Sequence, residues 1–84
     1  MQKENIRNWL VHWFEENSMI KNAKIDMLTS SSYFEEGLID SFMFIQLIAD
    51  IEEKYNLEFE NEQFEDRSFS TIDGLVEIIE RNLE

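Results

Sequence analysis

The chain has no cysteine, no proline and only two glycines among its 84 residues, and it carries 7 basic residues against 19 acidic ones. Without cysteine there is no disulfide, no thiolate metal ligand and no protein thiol nucleophile, so any thiol chemistry has to be imported on another group. So few glycines and prolines argue against a sheet protein, which needs denser turn punctuation, and for helices joined by polar connections. The formal net charge of -12 repels phosphate backbones and anionic lipid surfaces, which argues against nucleic-acid and membrane binding and points to basic protein partners. No apolar run approaches the roughly 18 residues needed to span a bilayer. The opening MQKENIRNWL lacks a signal-peptide layout, so no membrane insertion and a cytoplasmic location are expected. His12 has no second histidine, and no segment has the acid spacing of a calcium loop, which leaves no metal site in view.

What is present is a folding composition: 43% of residues are aliphatic or aromatic and 31% charged, the balance of one compact domain over residues 1–84 and not of a disordered tail. Residues 3–16 place Ile6, Trp9, Leu10, Trp13 and Phe14 at helical spacing, with Val11 widening the stripe and His12 toward its polar flank. Residues 17–37 show no sustained periodicity and read as a long, partly pinned loop. Residues 42–55 form a second helix, with Phe42, Ile45, Leu47, Ile48, Ile51 and Tyr55 on a broad inner face and Gln46, Asp50, Glu53 and Lys54 toward water. A short helical turn is expected over 61–66. A last helix over 71–82 carries Ile72, Leu75, Val76, Ile79 and Leu83 after a capping-box pattern of Ser70 and Asp73. These elements predict an all-α four-helix bundle with a long first loop and a short third helix.

The chemistry-bearing candidate is the Asp40-Ser41 pair inside FEEGLIDSFMFIQLI. Ser41 with His12 and an aspartate makes a triad on paper only; GLIDS lacks the spacing of a nucleophile elbow, and there is no glycine-rich phosphate loop. Taken alone, Asp-Ser before an apolar helix is an N-cap signal. In this setting Gly37 supplies a turn, Leu38 and Ile39 anchor the loop in the core, and Asp40 takes the cap so that Ser41 points outward. A hydroxyl at a helix N-terminus is a favourable place for a phosphate ester, because unpaired N–H groups and the positive end of the dipole face it.

GLIDS followed by an amphipathic helix, at mid-chain in a strongly acidic domain of this length, resembles the acyl carrier proteins. The likeness extends to the aromatic first helix, the long loop, IEEKYNLEF and the FSTIDGLVEII ending. It implies a four-helix bundle and a 4'-phosphopantetheine arm, derived from coenzyme A, attached covalently to Ser41, with Asp40 supporting the modification. The arm carries an acyl or aminoacyl group as a thioester between enzymes, and the domain performs no catalysis. Implied partners are a phosphopantetheinyl transferase, a loading ligase or transferase and an acceptor enzyme, and the implied oligomeric state is a monomer.

Phe42 stands where leucine is commonest, which resembles D-alanyl carriers and other stand-alone carriers of specialised biosynthetic pathways more than fatty-acid carriers. Met43, Phe44 and Gln46 stand where fatty-acid carriers present acidic and hydroxyl groups. Four consecutive large apolar residues, Phe42 to Ile45, cannot all face one core. Either these side chains turn inward, which one of them can do, or the partner face has an apolar centre; the expectation is the second, with Met43 and Phe44 at the centre, joined by Gln46 and rimmed by Asp50, Glu52 and Glu53. The alternative is an unmodified acidic interaction module that uses the Met43 and Phe44 patch, with Ser41 only a cap.

Overall fold

Ile6, Leu10, Trp13 and Phe14 recur at i, i+4, i+7 and i+8. In the computed structural model, which describes residues 2–20 and 24–83, they are the buried side of α1, Gln2–Asn17. Trp9 and Val11 flank that stripe half-buried, and His12 is exposed beside Glu15 and Glu16. Helix α2 spans Ser41–Tyr55 and α3 spans Ile72–Leu83. Among the described residues no strand forms; one isolated antiparallel bridge joins Ser32 to Thr71.

The all-α expectation holds, but the described residues form three α-helices in place of four. Where the short third helix was expected, two 3-10 segments follow one another, Asn61–Glu65 and Arg67–Ser70. Between them Asp66 is extended, and its carboxylate accepts the Ser68 N–H at 2.9 Å. Such a side-chain bond competes with the helical ladder and starts a new turn instead of extending the old one. The bond also holds the Asp66 carboxyl below its ordinary range.

The cap of α3 is likewise shifted. Ser70 and Asp73 were the expected capping box, but Thr71 Oγ1 accepts the Gly74 N–H at 2.9 Å, whereas the Ser70 hydroxyl donates to the Arg67 carbonyl at 2.7 Å. Ser70 still belongs to the 3-10 segment, so the first extended residue, Thr71, is the one able to cap. Gly74 follows from the same approach: a Cβ there would land on the Ser68 carbonyl.

Helix α3 packs on α1 and on the segment before it, burying Ile72, Leu75, Val76, Ile78 and Ile79. Exposed pairs, Lys3 with Glu77 and Arg7 with Asp73, cross the α1–α3 seam, and such surface pairs contribute little stability. The buried Thr29 is better held: its hydroxyl accepts from Arg7 Nη2 and its carbonyl from the Asp73 N–H, both at 2.9 Å. Helix α2 meets α1 through side chains. The Trp13 indole donates to Asp50 Oδ2 at 2.7 Å, and Trp9 sets its ring edgewise to Tyr55 with centroids 5.9 Å apart.

Tyr33 ties the connection before α2 to the one after it. Its ring is fully buried between Phe14 and Phe44, its hydroxyl donates to the Phe69 carbonyl, and its N–H donates to the Ser70 carbonyl at 3.0 Å. Burial pushes the phenol well above its ordinary pKa of 10.0.

Candidate functional site: the start of α2

The approach to Ser41 is a pinned turn. Gly37 sits at φ 73°, a conformation that other residues adopt only with strain. Beyond it, the Leu38 N–H donates to the Tyr33 carbonyl at 2.9 Å, and the Leu38 carbonyl accepts the Met19 N–H at 2.7 Å. Leu38 and Ile39 are buried, as the sequence suggested. The chain therefore reaches Asp40 from a fixed direction.

Asp40 is the cap. Its backbone is extended, its Oδ1 accepts the Met43 N–H at 2.9 Å, and its carbonyl accepts the Phe44 N–H at 2.9 Å. Ser41 is the first helical residue and is exposed. The bland reading of Ser41, that it exists to cap α2, loses its basis because the neighbouring carboxylate already makes the cap bond. The N–H groups of Ser41 and Phe42 have no partner within a helix by geometry alone. The first turn itself carries no acid, so the Asp40 carboxylate on the Met43 N–H is the charge that meets the positive end of the dipole, and the N–H groups of Ser41 and Phe42 stay free beside the Ser41 hydroxyl.

The residues expected on the partner face separate into three groups. Met43 and Phe44 are half-buried and packed against the core, with the Phe44 ring 5.3 Å from Phe34 and 6.2 Å from Phe69. They do not form an outward apolar centre. The outward residues are Phe42 and Ile45, 79% and 69% exposed, which had been expected inside. The reason is helix phase: at about 100° per residue, Phe44, Leu47, Ile48, Ile51 and Tyr55 share one stripe, and Phe42 falls on the far side. Leu47, Ile48 and Ile51 are buried and Tyr55 half-buried, as expected.

Gln46 and Asp50 are exposed and half-exposed, but they are joined: Gln46 Nε2 donates to Asp50 Oδ1 at 2.8 Å, while the other Asp50 oxygen holds Trp13. Glu53 is exposed, and Glu52 Oε2 accepts the Phe59 N–H at 3.0 Å. Sequence reasoning missed Phe42 and Ile45. Fixing the helix phase on Leu47 and Ile51 would have found them. Ile45 also walls an open groove of about 330 Å³, lined with it by Phe44, Ile48, Ala49, Glu52 and Phe64.

An exposed serine on a capped helix start, approached by a pinned loop, is a geometry for presenting one hydroxyl to another macromolecule. A family model described as the phosphopantetheine attachment site matches residues 17–79, about three quarters of the chain. The chain belongs to that family, whose domain is the attachment site of covalently bound 4'-phosphopantetheine. No curated protein and no solved structure matches it significantly. None of its described helices is long and apolar enough to cross a membrane.

Proposed function

We propose that Ser41 is the residue to which 4'-phosphopantetheine is joined, and that the domain carries an acyl or aminoacyl group between enzymes of a specialised biosynthetic pathway. The observation that carries this reading is the division of roles at the start of α2: Asp40 makes the cap bond, and Ser41 keeps an exposed hydroxyl.

The residues fit the group. A phosphodiester on Ser41 meets the unpaired N–H groups of Ser41 and Phe42, while the adjacent Asp40 carboxylate is held by the Met43 N–H. When bound, the arm supplies the thiol that this cysteine-free chain lacks, and the cargo rides on it as a thioester. Asp40 holds Ser41 at the first helical position, and its carboxylate stands where a modifying enzyme can use it to steady a metal ion or the incoming group. The domain performs no catalysis of its own. A phosphopantetheinyl transferase attaches the arm from coenzyme A, a ligase or transferase loads the thiol, and an acceptor enzyme unloads it.

Intact-mass measurement after incubation with coenzyme A and a promiscuous phosphopantetheinyl transferase tests the assignment. Wild type gains one phosphopantetheine and Ser41→Ala gains none, while both keep the same helical circular dichroism because the Asp40 cap is untouched. Equal gain in the two proteins, or none in wild type, sinks the reading.

A further inference from the structure

Ser41 is held in place through its neighbours, and both of its flanks lead to one side chain. Before it, Leu38 gives its N–H to the Tyr33 carbonyl at 2.9 Å, which closes the turn that delivers the chain to Asp40. After it, the Phe44 ring lies against the Tyr33 ring, with centroids 6.3 Å apart and planes 26° apart. Phe44 also closes the first turn of α2, because its N–H donates to the Asp40 carbonyl. On its other sides Tyr33 is fastened to the body of the domain. Its ring packs on Phe14 of α1 with centroids 5.1 Å apart, its N–H donates to the Ser70 carbonyl, and its hydroxyl donates to the Phe69 carbonyl. The bridge from Ser32 to Thr71 and the Asp73 N–H on the Thr29 carbonyl extend that seam along the chain.

A phenylalanine would fill this part of the core as well. What the tyrosine adds is a second polar tie, so that the one residue bearing on both flanks of Ser41 is fixed at its backbone and at its far end to the segment leading into α3. Resting on the assignment of attachment to Ser41, we propose that Tyr33 is a positioning residue for that modification: it fixes where the Ser41 hydroxyl stands relative to α1 and α3 without itself touching coenzyme A. The transfer is geometrically demanding. The Ser41 oxygen bonds to the pantetheine-bearing phosphorus of coenzyme A as the bond from that phosphorus to adenosine 3',5'-bisphosphate breaks, and the hydroxyl proton passes to a base of the transferase. Such an in-line attack loses on the order of 100-fold in rate for a misplacement of about 1 Å. Loosening Tyr33 therefore slows the transfer while every exposed group around Ser41 is still present.

The test is steady-state modification by a promiscuous phosphopantetheinyl transferase with coenzyme A, varying the concentration of wild type, Tyr33→Phe, Tyr33→Leu and Ile79→Ala. Ile79 is fully buried in α3, outside the turn before Ser41 and the first turn of α2, and serves as the control for lost stability alone. A carrier that is merely less stable offers less folded substrate, which raises the apparent KM and leaves kcat; a misplaced hydroxyl lowers kcat. Tyr33→Leu, which loses the ring contact with Phe44 as well as the hydroxyl bond, lowers kcat at least about tenfold with KM within about twofold. Tyr33→Phe keeps the ring and the fold, lowers kcat about threefold, and shifts the amide resonances of Leu38 and Ser41, whereas Ile79→Ala keeps both kcat and those resonances. An unchanged kcat and unshifted resonances in Tyr33→Phe, or an equal fall of kcat in Ile79→Ala, overturns the positioning role while wild type is still modified. Modification of Ser41→Ala instead overturns the assignment beneath it.

Discussion

Helices α2 and α3 are both amphipathic, yet they place their apolar side chains differently. In α3 the residues Ile72, Leu75, Val76, Ile78 and Ile79 are all buried. In α2 the residues Leu47, Ile48 and Ile51 are buried, whereas Phe42 and Ile45 are left in water. Helix α3 is covered by α1 and by the segment that precedes it, so its apolar face is closed from two sides. Helix α2 is fastened along one side, by Trp9 and Trp13 of α1 and the phenylalanines beneath it. A helix covered twice is a structural element; a helix covered once has a second face available for a visitor.

That difference is open to attack by mutation. The largest stability loss is expected in α3: Ile79→Ala removes a fully buried side chain and lowers unfolding free energy by about 3 kcal/mol in urea titration. A value near zero would mean that α3 is not part of the core. An intermediate loss is expected at Tyr33, which touches Phe44 of α2 and hydrogen-bonds the segment leading into α3. Tyr33→Phe keeps the ring, loses the hydroxyl bond to the Phe69 carbonyl, and costs about 1 kcal/mol.

The same variant has a pH signature. Because burial raises the Tyr33 phenol above 10.0, the native state keeps a proton that the unfolded chain loses. Its contribution is whole below pH 10 and falls away as pH rises beyond it. Tyr33→Phe therefore flattens the alkaline loss of stability; Tyr55, shifted the same way by burial, maintains part of the slope. An alkaline limb identical in the two proteins would contradict the buried phenol. The smallest effect is expected on α2, where Phe42→Ala deletes a larger side chain than Ile79→Ala and changes stability by no more than about 0.5 kcal/mol. A loss of several kcal/mol there would turn the outward face inward and dissolve the contrast.

Much of this was legible in sequence because it is local. The spacing of Ile6, Leu10, Trp13 and Phe14 placed α1 within a residue at each end, and Leu75, Val76 and Ile79 placed α3 equally well. The pinned loop before Asp40 was readable from Gly37, Leu38 and Ile39. What escaped depends on contacts between distant residues. Which of four consecutive apolar residues faces water is decided by the phase of α2 against the core, and Phe42 to Ile45 look alike without that phase. Asp50 reads as a free rim acid until Trp13, 37 positions away, is seen to hold it. Ser70 reads as a cap until the 3-10 segment is known to run through it.

The seam between α1 and α2 has a practical consequence. The two tryptophans of the chain sit on α1, and each touches α2: Trp9 meets the Tyr55 ring, and the Trp13 indole N–H is bonded to a carboxylate. Indole emission is sensitive to a neighbouring charge, so the native protein contains its own optical gauge of where α2 lies. Displacement of that helix by anything that binds beside it registers as a change in intrinsic fluorescence with no label attached.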